Sequence, residues 1–258
     1  MSKWKSCAAA VVAILAAIGG ASGQQPLSDA DIKSTIVGNI FVFGNNFTLF
    51  RSDGSYAFYG NGELRTEGQY RVSDGQICFA PGGKPSGSCD RYLRDADGGL
   101  VLETKGGRND GNRGRGFVAP ADILASDGGR VTSMSACDQT VTATFQPLPP
   151  NLPSNAAIFS GTWIGKLSTA LCVGFIVEKV ASNGTVRLRY LTGAHTNLTA
   201  RSGLRIGQVA NGMLSFRIPP NVHVEVKAGG DMRRLSGTYY WGTFGNFPTD
   251  FTRLESAR

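Results

Sequence analysis

Residues 222–227 read Val-His-Val-Glu-Val-Lys, with a valine at every second position. Successive side chains of a strand point to opposite faces, so this period of two sets three valines on one face and His223, Glu225 and Lys227 on the other. The pattern recurs nearby. Val186, Leu188 and Tyr190 alternate with Thr185, Arg187 and Arg189, and Leu214, Phe216 and Ile218 alternate with Met213, Ser215 and Arg217. One buried and one wet face is the signature of antiparallel strands. Runs at 161–167, 172–180, 204–209, 234–241 and 249–254 bring the expectation to about eight strands between residues 156 and 258. A sheet of that size hides its edges by closing into a barrel, with a β-sandwich as the alternative.

Upstream, short apolar runs at 40–43, 47–50 and 56–59 are separated by Gly44-Asn45-Asn46 and by Ser52-Asp53-Gly54-Ser55. Further runs at 64–72, 76–79, 90–93 and 100–104, with turn chemistry at 73–75 and 95–99, predict a meander of about seven antiparallel strands. Ser28 with Asp31 three residues later forms a capping-box pattern, and Leu27 and Ile32 stand where a hydrophobic staple would be. A short helix, ended by Gly38, is expected there. Residues 105–116, KGGRNDGNRGRG, read as a loop, and 117–145 carry weaker strand signals. The Pro-rich segment 146–155, QPLPPNLPSN, holds an extended path and sets the predicted domain boundary.

The chain has 258 residues and opens with Lys3 and Lys5 ahead of an apolar run at 8–18 and the small-residue triplet Ala21-Ser22-Gly23. That order is a secretory leader, residues 1–23, with cleavage near Gln24. The run is short for a bilayer span, and no later stretch is apolar enough for a transmembrane helix. The formal net charge is +7, of which the two leader lysines carry two, leaving +5. This mild excess allows a weak attraction to an anionic envelope surface. Of five cysteines, Cys7 leaves with the leader. Cys78, Cys89, Cys137 and Cys172 remain, an even number in an exported chain, which predicts disulfides. Three pairings are possible. Pairing Cys78 with Cys89 would close a turn-rich loop and stabilise by about 3 kcal/mol on the chain-entropy estimate. Cys137 would then join Cys172.

Gly161-Thr162-Trp163 at the start of the second domain and Phe251-Thr252-Arg253-Leu254 at its end resemble the calycin barrels: lipocalins, fatty-acid-binding proteins and avidins. The resemblance covers 156–258. It implies an eight-stranded up-and-down barrel in which Arg253 packs over Trp163. The aromatic cage of a biotin site is not evident. In the first domain, YRVSDGQICF and CDRYLRDADGGL resemble small exported domains of Gram-negative bacteria that have no characterised function. The fold expected is all-β: an N-terminal antiparallel domain over 24–145, the linker 146–155, a calycin-like barrel over 156–258, and one short N-terminal helix.

No GxSxG elbow, HExxH, P-loop or dinucleotide fingerprint occurs in the mature chain, so no catalytic residue is assigned. With two histidines and no CxxC, no metal site or cofactor is expected. Two recognition surfaces suggest themselves. Tyr239, Tyr240, Trp241 and Phe244 could form a stacking platform or barrel mouth for a small apolar or glycan ligand. Lys105, Arg108, Arg113 and Arg115 form a basic loop able to contact anionic groups, without the interleaved aromatics of nucleic-acid binding. The function expected is a non-enzymatic ligand-binding or envelope interaction protein, periplasmic or secreted. The alternative is a hydrolase acting on an envelope polymer such as a polysaccharide, using His195, His223 or a carboxylate pair assembled in space.

Overall fold

The computed structural model describes residues 23–85, 88–106, 110–167, 171–195, 199–219, 222–229 and 231–254. The predicted leader lies outside the described residues except for Gly23. After β1 (Gln25–Pro26) and α1 (Asp29–Thr35) come β2 (Asn39–Phe43), β3 (Asn46–Phe50), β4 (Ser55–Gly60), β5 (Glu63–Ser73), β6 (Gln76–Pro81), β7 (Cys89–Arg94), β8 (Leu100–Lys105) and β9 (Arg113–Pro120). Strands β2 to β9 pair in chain order, all antiparallel, and β9 returns to β2. The N-terminal meander is therefore a closed eight-stranded barrel, with β1 added beside β7. The expectation of about seven strands, with a loop running to residue 116, missed β9. Its inward positions Gly114 and Gly116 carry no side chain, so apolar alternation is absent from the sequence. A Cβ on Gly114 would come within 2.7 Å of the Phe43 ring, and one on Gly116 within 2.4 Å of the Phe41 ring. The glycines make room for two large rings projecting from the neighbouring strand.

Helix α1 forms where the capping box predicts. The Ser28 hydroxyl accepts from the Asp31 backbone N–H, and the Asp31 carboxylate accepts from the Ser28 N–H. Ile32 and Ile36 are fully buried and pack with Phe41, Phe50, Tyr56, Ile77 and Tyr92, plugging one end of the barrel.

A hairpin follows, β10 (Arg130–Ala136) and β11 (Gln139–Phe145), and then α2 (Ser154–Ala157). The second closed barrel comprises β12 (Gly161–Leu167), β13 (Leu171–Val180), β14 (Thr185–Thr192), β15 (Arg201–Ala210), β16 (Met213–Ile218), β17 (Val222–Ala228), β18 (Arg234–Tyr240) and β19 (Asn246–Leu254). Its alternation has the predicted phase: Val222, Val224 and Val226 are buried inside with Leu188, Phe216 and Phe251. Trp163 is fully buried, and its indole N–H donates to the Phe159 carbonyl at 2.8 Å. The Arg253 guanidinium lies 5.0 Å from the centre of the Trp163 ring and donates to the carbonyls of Ile158 and Ser160.

The outer face of β13 and β14 is not wet, contrary to the alternation reading. Arg187 and Glu178 are each 4% exposed and meet at 3.2 Å. Arg187 also donates to the carbonyls of Leu124 (2.9 Å), Ala125 (2.8 Å) and Thr144 (3.3 Å). The covering chain is the connection at 121–125 together with the end of the hairpin. Farther along this face Met134, Ala136, Val141 and Ala143 of the hairpin pack on Ile164, Ile176 and Leu191 of the barrel. The disulfide Cys137–Cys172 fastens the hairpin turn to β13, and Cys78–Cys89 links β6 to β7. Between the barrels, Ile40, Val42, Phe47 and Ala119 of the first meet Ile206 and Leu204 of the second. Gly62, with φ +83°, lets the β4–β5 turn press onto Leu204, whose carbonyl would lie 2.3 Å from a Cβ.

Gly116→Val should lower stability by about 3 kcal/mol, because the added side chain collides with Phe41 and the Val42 carbonyl in a packed wall. Urea unfolding of the two proteins measures the difference.

Candidate functional site

The two barrels share a topology but not an interior. In the second, Trp163, Phe175, Tyr190, Phe216, Tyr239 and Phe251 converge from different strands, with ring centres 5.1 to 6.5 Å apart where they meet. Trp163, Phe175, Leu188, Phe216 and Val224, the residues whose packing would leave a ligand no room, are all buried in this filled core. The first barrel is filled only toward α1. At the opposite end lies a cavity of about 260 Å³.

Its walls follow from strand alternation. Phe41 and Phe43 project inward from β2, Tyr56 and Phe58 from β4, Phe79 from β6 and Tyr92 from β7. Phe41 meets Tyr92 edge-on at 5.0 Å, and Tyr56 meets Phe79 edge-on at 5.0 Å, so the rings lock one another in place. Nearer the mouth the inward positions are small and polar: Thr48, Thr66, Ser88 and Thr104. These short side chains leave the space open.

Asp90 also faces this cavity, two residues before Tyr92 on β7. The Thr104 hydroxyl of β8 donates to its Oδ1 at 2.9 Å. Burial pushes the carboxyl up to about 6, against the lowering effect of the Thr104 hydrogen bond. Among the described residues, no lysine, arginine or histidine lines the cavity. Tyr92 is raised well above the usual phenol range by burial and then by the charge of Asp90. On the outside of the same wall, Cys78 and Cys89 stand opposite each other one register step from the Ile77–Asp90 pair, so the disulfide braces the segment that carries Asp90.

The site residues expected from sequence fall elsewhere. Tyr239 is in the filled core of the second barrel, while Tyr240 donates from its hydroxyl to Glu225 Oε2 at 3.0 Å. Trp241 and Phe244 are exposed and form a rim cluster with Phe247, with ring centres 6.2 to 6.3 Å apart from Trp241. The four aromatics thus do not form one platform. The basic loop also separates: Lys105 ends β8 and pairs with Glu103 at 3.1 Å, while Arg113 and Arg115 lie on the outward side of strand β9. Arg115 holds Asp95 and Asp97 at 2.6 and 2.8 Å. Arg108 lies outside the described residues.

A shallower cleft of about 200 Å³ between the barrels is lined by Arg115, Phe117, Ile206, Ser215, Arg217 and His223, among others. His223 Nε2 sits 3.2 Å from Glu225 Oε1, and its Nδ1 is buried without a hydrogen-bond partner. The Ser215 hydroxyl donates instead to the Gln208 carbonyl at 3.5 Å. A His–nucleophile pair is thus not assembled there. His195 is exposed in the connection between β14 and β15. No known protein family and no curated protein matches this sequence.

Asp90 and its pocket escaped sequence reading because a single Asp in CDRYLR carries no local mark of burial. The usable signal was the period of two: Asp90 shares its face with Tyr92, an inward aromatic.

Because the Asp90 carboxyl is raised from 3.8 to about 6, the folded chain holds this proton more tightly than the unfolded chain. The stability gained is full below the unfolded value and lost as pH rises through the folded one. Asp90→Asn should therefore be about 2–3 kcal/mol more stable than the parent near pH 8, the gap closing below about pH 4. Urea unfolding at several pH values reads this directly.

Proposed function

We propose that this chain is an exported, non-enzymatic binding protein whose first barrel holds a small, largely apolar ligand and whose second barrel is a packed support. The observation that carries this is the 260 Å³ aromatic-walled cavity with a single convergent carboxylate, beside a neighbour of the same topology whose interior is filled. The volume sits at the lower edge of the roughly 300–1,000 Å³ usual for small-molecule pockets, which suits a compact ligand. An eight-stranded barrel interior is just wide enough for packed side chains or one such molecule. The calycin-like assignment of the second barrel is supported by Arg253 lying across Trp163 of the Gly-x-Trp sequence. Two disulfides fit an oxidising compartment outside the cytoplasm, and no described helix is long and apolar enough to cross a membrane. With the leader-like N-terminus, this supports a periplasmic or secreted location in a Gram-negative bacterium.

The neutral fluorophore N-phenyl-1-naphthylamine tests the site. It should bind the full chain at one site, and Thr66→Phe, which fills the cavity, should weaken binding by about tenfold or more. Trp241→Ala with Phe244→Ala should leave it unchanged. The opposite result, with binding lost in the rim variant and kept in Thr66→Phe, would move the site to the second barrel.

A further inference from the structure

We infer that the ligand of the first barrel is an organic cation, a small molecule with an aromatic or aliphatic body and one protonated amine, whose charge is met by Asp90. This rests on the reading of that cavity as a binding site.

Three observations select the cation over neutral or anionic ligands. First, among the described residues Asp90 is the only acid or base on the lining apart from the phenols of Tyr56 and Tyr92. Its described hydrogen bond comes from Thr104. A half-buried carboxylate with no described countercharge pays a desolvation cost, and a ligand cation supplies that charge. An anion would meet the carboxylate with no basic side chain among the described wall residues to offset it. Second, the remaining wall is aromatic. Ring faces attract ammonium groups and repel anions, and the attraction grows in desolvated sites. Third, the carboxylate is held in place. Thr104 fixes one oxygen, and the Cys78–Cys89 bridge braces the strand pair beneath it. A preorganised acceptor loses little freedom on binding. The single acid also argues against a bare metal ion, which would need several oxygen ligands.

Protonation gives the reading a directional consequence. The groups facing Asp90 from β4, β7 and β8 are Tyr56, Tyr92 and Thr104, none of them ionised near neutrality. Binding of an ammonium ligand should then follow ionisation of Asp90 alone, and affinity should rise with pH through about 6. A carboxylate ligand would show the reverse slope, since it could bind only while Asp90 keeps its proton.

Calorimetric titration of the full chain with 2-phenylethylamine, 2-phenylethanol and 3-phenylpropanoate separates the possibilities. The amine should bind about tenfold or more tightly than the alcohol near pH 7. Its affinity should fall about tenfold between pH 7 and pH 5. Asp90→Asn should abolish the preference for the amine while leaving alcohol binding within about twofold, which also shows that the variant is folded. If the alcohol binds as well as the amine, or Asp90→Asn leaves the amine unchanged, the cation inference fails and the cavity reading stands. If 3-phenylpropanoate binds best, the inference is likewise overturned. If none of the three binds, both readings fall.

Discussion

The first barrel depends on two absent side chains. A closed sheet of eight strands has an interior only about as wide as the side chains that fill it. Phe41 and Phe43 on β2 project across that width, and the strand that completes the ring must pass beside them. Gly114 and Gly116 allow it, since a Cβ at either would overlap a phenyl ring. Without this close approach β2 and β8 would each keep an open edge, a surface prone to pairing with other chains. Closure therefore depends on the stretch RGRGF at 113–117, whose arginines face out and whose glycines face in. The same arrangement sets the rings where they become walls of the cavity.

That stretch also marks the limit of what was legible from sequence. The second barrel could be read because valine, leucine and phenylalanine occupy its inward positions at a strict period of two. The cores of β14, β16 and β17 follow that phase. The turn at 73–75 was legible for a related reason: Asp74 and Gly75 adopt the positive φ values that hairpin turns of this type need. In β9 the inward residue is glycine, so the hydrophobic alternation that announces a strand disappears where packing is tightest. The turn of β10–β11 was hidden as well. Cys137 and Asp138 both take positive φ in place of the usual glycine, and the disulfide to Cys172 holds that turn against the barrel.

Charged residues misled in the opposite sense. Arg187 and Glu178 sit at positions that alternate with apolar ones, and alternation alone assigns them to solvent. Both are buried because the 121–125 connection and the hairpin cross that face. The guanidinium satisfies several backbone carbonyls that irregular chain would otherwise leave unpaired, and Glu178 balances its charge. Removing either partner would strand the other without a countercharge, so the pair fixes where the connection lies more than it adds net stability. A single sequence carries no sign of such a cover, which comes from residues 43 to 63 positions away.

The contrast between the barrels is a contrast in how aromatic volume is distributed along the axis. In the second, rings from β12, β13, β14, β16, β18 and β19 meet through the interior, and α2 adds Ala156 at one end. In the first, the rings interlock beneath a layer of Thr48, Thr66, Ser88 and Thr104, and α1 closes only the floor. Those four short polar side chains give up hydrophobic burial that leucine or phenylalanine would supply, and the half-buried Asp90 carries a further desolvation cost. Selection for stability alone would fill such a space, as it is filled next door. A protein that keeps a cavity and a desolvated carboxylate on a wall braced by a disulfide has the arrangement expected when a ligand, bound only in the folded state, offsets the loss.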